Sequence, residues 1–522
     1  MRVSRTWRDD RRNRGLPALL ATAALAAAFA GVATHDGDGD HTAYASRHHE
    51  RPDTVVTVGP STVGHPIPSG FVGLSLEYSA VPWYTGTDAG AVNPVFEQLI
   101  RNLSPGQSPV LRIGGDSTDT TWVPTPGIPR PAGVSYSLSP TWLATTAALA
   151  RDLRARMIMG IDLEAGVPAL AAAEARAFVA RFGPRALRAF EISNEAPRYN
   201  TIPWYRRGPG HLVYARRPSY DFGDFNREFA TVAGRLPAGV PIAGPTLGGP
   251  GWMPYLEKFI ASEPRLGLLT FHTYPFNRCF TPVNSPTYPS LSKLLSLDGS
   301  RGFAPAIEGY LATARRHRLP FRIDEMNSVA CGGKRGISDT FASALWALDS
   351  TFEMARLGVS GVNFHMFPGA SYILFSFRRE GAGQWVARVM PEYYGLLMFA
   401  QAAPPGSRLL STAVRGARTV RAWATRATGG TVRAVLINDD VHRRHVFLVR
   451  GLSSNARADV IRLSAPSVRA NGGVTLGEQR FGLTRTGKLS EAPEAEPVGS
   501  SHGRLVVTLG PASAALLTVR RG

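Results

Sequence analysis

Lysine is scarce in this chain of 522 residues. It occurs only at Lys258, Lys293, Lys334 and Lys488, so arginine carries almost all of the basic excess that gives a formal net charge of +19. The arginines are scattered along the chain, with no basic run and no recognisable nucleic-acid-binding module. Scattered arginine is more typical of a solvated surface than of a nucleic-acid site, so charge alone does not identify a partner.

Cysteine is also rare. Cys279 and Cys331 are the two in the chain, and neither lies in a CxxC motif or a cysteine–histidine cluster with zinc spacing. A hydrophobic share of 44% against 19% charged residues excludes wholesale disorder and is enough for a large core.

Long uncharged hydrophobic runs are confined to the N-terminus. Arginines precede an apolar stretch from Leu16 to Ala33, and Ala43-Tyr44-Ala45 then offers a small-x-small cleavage site. This pattern predicts a secretory signal over residues 1–45 and a secreted or cell-surface protein, with no stable membrane insertion after cleavage. The pair Arg11-Arg12 leaves a twin-arginine route open. The alternative is an uncleaved anchor, because the run approaches the roughly 18 to 20 residues that span a bilayer.

After a polar linker and a β-like segment from Thr54, short apolar runs alternate with helical segments. The predicted strands are Phe71–Tyr78, Val110–Gly115, Met157–Leu163, Leu187–Ser193, Pro241–Pro245, Leu266–Tyr274, Pro320–Glu325 and Gly361–Met366. The predicted helices are Val92–Leu103, Pro140–Arg154, Ala169–Phe182, Phe222–Leu236, Met253–Ser262, Pro305–His317, Ser338–Arg356 and Pro391–Gln401. These strand-then-helix units fit a (β/α)8 TIM barrel better than a doubly wound sheet, because no GxGxxG motif follows the first strand.

The sequence pattern changes after Ala402. Valine-rich segments such as Val420–Arg426, Val432–Asn438 and Leu505–Leu509 are separated by Gly, Asn and Asp turns, which predicts an all-β sandwich over residues 403–522. We therefore expect an α/β barrel over residues 71–402. Residues 46–70 are expected to form a linker and an N-terminal strand that joins the β domain.

Two carboxylates end predicted barrel strands. Glu195 ends the fourth strand in Ser193-Asn194-Glu195, and Glu325 ends the seventh. Catalytic groups of such barrels lie at the C-terminal ends of the strands, so the two glutamates should face each other across the mouth. Retaining glycoside hydrolysis needs two carboxyl groups about 5 Å apart, one as nucleophile and the other as acid and then base. The alternative is that each glutamate is only a solvated strand end.

Strand alternation distinguishes Glu325 from Asp324, and depth in the strand distinguishes Glu195 from Glu191, which shares its face. Glu325 shares a strand face with Ile323, so Asp324 is expected to point toward the helix layer or into a salt bridge. Glu191 lies deeper in the fourth strand and is expected to be a buried structural carboxylate that pairs with a barrel arginine.

Four segments stand out in combination: Phe71–Tyr78 (FVGLSLEY), Leu111–Ser117 (LRIGGDS), Glu191–Glu195 (EISNE) and Glu325–Asp339 (EMNSVACGGKRGISD). With these segments the chain, from about residue 54 to its end, resembles glycoside hydrolase family 79, which includes β-glucuronidases and heparanases. The Cys-Gly-Gly and Ile-Ser-Asp-Thr-Phe segments after Glu325 are closer to the microbial β-glucuronidase branch. The resemblance implies Glu195 as the acid/base and Glu325 as the nucleophile, with Asn194 binding the sugar 2-hydroxyl.

The resemblance also suggests orienting residues. Tyr274, at the end of the sixth strand, would donate a hydrogen bond to the nucleophile, or would be a rim aromatic. Arg112 would lie beside the nucleophile or form an internal salt bridge, and Glu77 and Asp116 would contact sugar hydroxyls or cap loops. A uronate carboxylate would be bound by backbone amides and a tyrosine after the eighth strand, in the segment from Gly369 to Tyr372.

Two neighbouring loops carry the cysteines. Cys279 follows the sixth strand and Cys331 the seventh, which allows either a disulfide on the catalytic face or two free thiols. Catalysis by two carboxylates needs no metal or other cofactor, and none is predicted.

The sequence thus predicts an exported, retaining hydrolase that releases terminal β-linked glucuronic acid from glycosides or glycans, with endo-action on a uronate-containing chain as the nearest variant. Two alternatives stay open. One is a barrel glycosidase for a neutral sugar such as xylose. The other is a non-catalytic surface carbohydrate-binding protein that keeps the fold.

Overall fold

The computed structural model describes residues 51–381, 383–453, 456–490 and 492–520. The predicted signal over residues 1–45 lies outside these ranges. Within them, no helix is long and apolar enough to cross a membrane.

A closed barrel of eight parallel strands forms the centre of the described chain. In chain order the strands are Val72–Leu76, Val110–Ile113, Arg156–Ile161, Leu187–Ile192, Ile242–Leu247, Leu266–Thr273, Phe321–Met326 and Val362–Met366. Each strand pairs with its chain neighbour, and the eighth pairs with the first in register from Val362 opposite Val72. We refer to them below as barrel strands one to eight.

Helices follow the barrel strands and cover the outside of the barrel. The longer ones are Pro94–Leu103, Pro140–Leu153, Pro168–Phe182, Phe222–Ala233, Leu256–Ser262, Ala304–Arg316, Phe341–Leu357 and Pro391–Ala402. Short helices are Val81–Thr85, Leu291–Leu294 and Leu297–Arg301, and 3-10 turns are Tyr78–Ala80, Thr118–Thr120, Ala196–Arg198 and Pro250–Tyr255. Capping residues set the N-termini of several helices. The side chains of Asn93, Ser139 and Asp221 accept hydrogen bonds from the N–H groups of the first helical turn.

Short strands outside the barrel pair into small sheets. Their paired strands are Thr121–Trp122 with Tyr136–Ser137, Tyr205–Gly208 with His211–Val213, Phe276–Asn277 with Val329–Ala330, and the hairpin Phe375–Glu380 and Gln384–Val389 with Leu483–Thr484. The hairpin lies between barrel strand eight and the last helix, where the sequence predicted no strand.

The C-terminal region forms a ten-stranded sheet. Its strands are Thr54–Val63, Arg408–Arg415, Val420–Arg426, Val432–Asn438, His445–Arg450, Arg457–Ser464, Thr475–Leu476, Glu496–Gly499, Leu505–Leu509 and Ser513–Arg520. The N-terminal strand Thr54–Val63 pairs antiparallel with Arg408–Arg415 and parallel with His445–Arg450. The predicted fold class, a (β/α)8 barrel followed by an all-β region, is confirmed.

The two faces of this sheet have different partners. One face of every long strand contributes to a separate apolar cluster that includes Val56, Phe447 and Leu517, so the sheet curls over a core of its own. The other face packs on the barrel helix Phe341–Leu357, where Trp423 stacks on Phe352 with ring centroids 5.5 Å apart. This helix therefore joins the β region to the barrel.

Candidate active site

Glu195 and Glu325 meet at the barrel mouth. Glu325 belongs to barrel strand seven and Glu195 follows strand four, and each is only 8% exposed. One carboxylate oxygen of each, together with Nδ1 of His272, lies within 4.8 Å of the others. The structure therefore brings together the two carboxylates that the sequence predicted would face each other.

The turn that presents Glu195 has an unusual backbone. Ser193 and Glu195 are non-glycine residues in the left-handed region, with φ of 79° and 51°. This conformation costs about 1–2 kcal/mol per residue, so it persists only where neighbouring groups hold it. The Ser193 N–H donates to the carbonyl of Ile161, and the Glu195 N–H donates to that of Thr246. Flanking barrel strands thus fix the turn from both sides.

Asp324 does not point outward toward the helix layer, but it does form a salt bridge with Arg112, which was the other expected position. Strand seven pairs Ile323 with Phe271 but Glu325 with His272, so the register slips by one residue at Asp324. Such a bulge turns two successive side chains toward the same side and defeats simple alternation. Asp324 is fully buried inside the barrel, 3.5 Å from Nε of Arg112 and 3.8 Å from Nε2 of His272.

A buried cluster underlies the site. Glu191 accepts a hydrogen bond of 2.5 Å from Nε of Arg112, which confirms its expected pairing with a barrel arginine. Burial, followed by the charge of Glu191, raises the pKa of Asp324 well above its usual range. Burial therefore favours the protonated form of Asp324, which reduces the negative charge next to Glu325.

Asp324→Asn is expected to leave kcat at pH 7 within about threefold of wild type, because burial favours the neutral form of Asp324 and the amide is neutral and of the same shape. Steady-state kinetics of the purified variant, with a thermal unfolding curve as the control for folding, checks this result. A loss of more than about a hundredfold in a folded variant would mean that Asp324 acts as an ionised group.

Glu325 has partners on both oxygens. Its Oε1 accepts from the hydroxyl of Tyr274 at 2.8 Å, and its Oε2 accepts from Nη1 of Arg112 at 2.7 Å. Burial alone would raise the pKa of Glu325, but His365, His272, Arg112 and the Tyr274 hydrogen bond outweigh it and hold that pKa below its usual range. Glu325 is thus ionised and held in a fixed orientation.

Glu195 is held by two basic side chains. Its Oε1 lies 3.1 Å from Nδ1 of His272, and its Oε2 lies 2.7 Å from Nη1 of Arg198. Burial raises the pKa of Glu195, but the His272 hydrogen bond and the charge of Arg198 outweigh it and lower that pKa, while the charge of Glu325 acts to raise it. The protonation of Glu195 therefore depends on the state of Glu325.

Asn194, Asp116 and Glu77 lie on one side of the mouth. The Asn194 side chain accepts from Nη2 of Arg112 at 3.1 Å and donates to Asp116 at 3.4 Å. Asp116 is solvent-exposed. Glu77 accepts from the backbone N–H groups of Asp116 at 3.1 Å and Ser117 at 2.8 Å, so it caps the loop after strand two, one of its two expected roles.

Tyr372 packs beneath the rim after strand eight. It is 2% exposed, and its ring stacks on Tyr274 with centroids 6.3 Å apart. Burial raises the pKa of Tyr372 well above its usual range, so its phenol is neutral and can donate a hydrogen bond. The Ser371 N–H donates to the carbonyl of Gly332, which ties this loop to the loop after Glu325.

Four further side chains complete the site, and the sequence did not single them out: Ser75, Arg198, His272 and His365. Ser75 receives a hydrogen bond from Arg112 at 3.1 Å and lies 3.1 Å from Nδ1 of His365. Burial lowers the pKa of His365, but Glu325 and the hydrogen bond to Glu77 outweigh it and raise that pKa. His272 and His365 lie at the C-terminal ends of barrel strands, and this position was the available signal.

Both cysteines are free thiols in the structure. Burial raises the pKa of Cys331, and its neighbour Cys279 raises it further. The disulfide stays a prediction, because the two thiols come from neighbouring loops. Alkylation without reductant distinguishes a bridge from two thiols.

Among the residues that the structure describes, two sets of side chains have ligand atoms close enough together to hold a metal ion: Glu191, His272 and Asp324, and Glu195, His272 and Glu325. Arg112 already binds Glu191 and Glu325, and Arg198 binds Glu195. These guanidinium groups supply the positive charge that the carboxylates require, so the arrangement suits chemistry carried out by the two carboxyl groups themselves.

Comparisons with known proteins show a matching domain, a sequence relative and a shared fold. Residues 422–516 match the glycosyl hydrolase family 79 C-terminal beta domain. A β-glucuronidase of Neurospora crassa is 21% identical over 440 residues, which cover 73% of this chain and 74% of that protein. The structure of a 4-O-α-L-rhamnosyl-β-D-glucuronidase from Fusarium oxysporum aligns with a TM-score of 0.66 at 20% identity, covering 88% of this chain and 100% of that one.

More distant structures share the fold. The family 51 arabinofuranosidase from Xanthomonas axonopodis pv. citri has a TM-score of 0.63 at 16% identity, with 90% of this chain and 100% of that chain covered. The matched C-terminal domain and the curated relative, together with the barrel fold, define the class: the chain is a glycoside hydrolase. The comparisons further confirm the resemblance to glycoside hydrolase family 79, whose C-terminal β domain the chain carries.

Proposed function

We propose that the protein is a retaining exo-hydrolase that releases terminal β-linked glucuronic acid, with Glu325 as nucleophile and Glu195 as acid/base. The observation that carries the proposal is the approach of the two carboxylates, whose oxygens lie within 4.8 Å. Retaining glycosidases hold these groups about 5–5.5 Å apart, whereas inverting ones need about 6.5–9.5 Å to admit a water molecule.

In the first step, Glu325 attacks the anomeric carbon while Glu195 protonates the departing oxygen. Arg112 and Tyr274 donate to Glu325 and keep it ionised and aimed, which pre-organises the attack. Substrate excludes water from the mouth and adds to the burial of Glu195, which raises its pKa toward that of a useful acid.

In the second step, Glu195 acts as the base that activates water. Once Glu325 carries the sugar it is neutral, so the charge that raised the pKa of Glu195 is gone. His272 and Arg198 then favour the ionised form of Glu195. A single carboxyl group therefore changes from acid to base when its partner is glycosylated.

Glucuronic acid is the sugar that the relatives favour, since two of them are named as glucuronidases. Asn194, which accepts a hydrogen bond from Arg112, is proposed to bind the sugar 2-hydroxyl. The neutral phenol of Tyr372 and the loop from Gly369 are proposed to donate to the sugar carboxylate. The export predicted from residues 1–45 would place this activity outside the cell, on a carbohydrate that contains a uronic acid.

Hydrolysis of 4-nitrophenyl β-glucuronide, followed by NMR of the anomeric proton, tests the proposal. The β-anomer of glucuronic acid is expected to appear first and to mutarotate later. Initial release of the α-anomer would contradict retention. In a panel that includes 4-nitrophenyl xyloside, cleavage of the neutral glycosides alone would contradict the uronate specificity.

A further inference from the structure

The Ser193–Glu195 turn is anchored at three successive N–H groups. The first and third donate to carbonyls of neighbouring barrel segments, Ile161 and Thr246. The middle one, the N–H of Asn194, donates instead to a side chain, Oδ2 of Asp119, at 3.0 Å. Asp119 thus anchors the backbone between two left-handed residues, immediately before the carboxylate proposed as acid/base.

Asp119 joins three loops at the barrel mouth. It lies in the turn Thr118–Thr120 after strand two and is 3% exposed. Its Oδ1 accepts from the backbone N–H groups of Leu163 at 3.2 Å and Glu164 at 3.4 Å, in the loop after strand three. Its Oδ2 also accepts from the hydroxyl of Tyr199 at 2.7 Å, in the segment that follows Glu195.

An ionised carboxylate suits this arrangement, because it accepts at both oxygens. Three backbone N–H groups and one hydroxyl converge on the two oxygens, so both oxygens must accept. Burial raises the pKa of Asp119 to about 6, although hydrogen bonds from Tyr199 and the backbone oppose the rise, and the group is mainly ionised at pH 7. An asparagine would direct an NH2 group at an N–H donor on either side.

We propose that Asp119 is a positioning residue that holds the left-handed turn and thereby aims Glu195 at the departing glycosidic oxygen. The proposal rests on the acid/base role of Glu195. It predicts a specific defect in protonation of the leaving group, because a misplaced acid harms only those substrates that need the proton.

The test measures kcat/KM at pH 7 for phenyl β-glucuronide, whose leaving group needs protonation, and for 2,4-dinitrophenyl β-glucuronide, whose leaving group does not. Asp119→Asn is expected to lower kcat/KM for the phenyl substrate by about 10²-fold. The loss in kcat/KM for the dinitrophenyl substrate should be smaller by a factor of at least about ten. Glu195→Gln is the positive control and should show the same dependence on the leaving group more strongly.

Asp162→Asn is the matched control. Asp162 is a buried carboxyl in the adjacent loop, and its Oδ1 accepts from the N–H of Ala165 at 2.9 Å. Burial raises its pKa well above the usual range and favours its neutral form, so the neutral amide should leave the ratio of the two substrates unchanged. Equal losses on both substrates in Asp119→Asn, or no loss, would overturn the positioning role.

Two further outcomes keep the test decisive. If Asp119→Asn does not fold, Tyr199→Phe takes its place, since it removes one donor from the same carboxylate and must shift the ratio in the same direction. If the wild type hydrolyses neither glucuronide but cleaves another aryl glycoside, the proposed sugar is wrong. The same pair of leaving groups on that other sugar then still tests Asp119.

Discussion

Glu325→Gln is expected to lower kcat on 4-nitrophenyl β-glucuronide by at least about 10⁴-fold while the protein stays folded. The amide fits the same space but is not a nucleophile, so no glycosyl-enzyme forms. Arg112 keeps its bond to Glu191, which limits the effect of the substitution on folding. Kinetics and circular dichroism of the variant measure both quantities.

Asp324→Asn is the natural comparison, because it changes the adjacent carboxyl group of the same strand. A Glu325→Gln variant that retains more than about 1% of wild-type kcat would contradict its role as nucleophile. Reaction with azide as an external nucleophile distinguishes the roles of the two glutamates. With an activated substrate, Glu325→Ala should yield the α-glycosyl azide by a single displacement, and Glu195→Ala should yield the β-azide by a double displacement.

Arg112→Met should lower the free energy of unfolding by about 3–5 kcal/mol, because it leaves buried carboxylates without a positive partner. Arg112 is fully buried and bonded to Glu191 and Glu325 at 2.5 and 2.7 Å. Denaturant unfolding at pH 7 measures the effect. Arg198→Met is the matched control, since Arg198 also binds a catalytic carboxylate but its side chain is 38% exposed, and a loss of only about 0–1 kcal/mol is expected.

The decrease in the free energy of unfolding caused by Arg112→Met should depend on pH in one direction. The lowered pKa of Glu325 in the folded protein contributes stability above the unfolded value of about 4.3, and this contribution is lost as the pH falls through the folded pKa. The difference between wild type and Arg112→Met should therefore narrow below about pH 4. Adding Glu191→Gln to the variant should recover part of the loss. Equal destabilisation by Arg112→Met and Arg198→Met would contradict the buried network.

The local periodicity of apolar residues was sufficient to predict the architecture. Each barrel strand alternates with a helix, and the capping residues and apolar spacing of these helices are local features of the sequence. The order and approximate bounds of the strands and helices therefore follow from the sequence. The C-terminal ends of strands four and seven lie at one rim, which identified Glu195 and Glu325 without any long-range information. The hairpin from Phe375 was missed because nothing in the barrel pattern calls for strands between strand eight and the last helix.

The orientation of Asp324 could not be predicted in the same way. Alternation along an isolated strand assigns it to the outer face, but the bulge that turns it inward arises from pairing with strand six. Contacts with His272 and His365 were missed for a related reason, since they join strands that are adjacent only after the barrel closes.

The sequence by itself determined the order of strands and helices and the two glutamates that face each other at the barrel mouth. The tertiary structure decided which carboxyl groups are charged. Arg112 reaches Glu325 across 213 residues of chain, and the same guanidinium holds Glu191, while burial favours the protonated form of Asp324. Protonation depends on distances and burial among groups brought together from several strands, and no local pattern contains those distances.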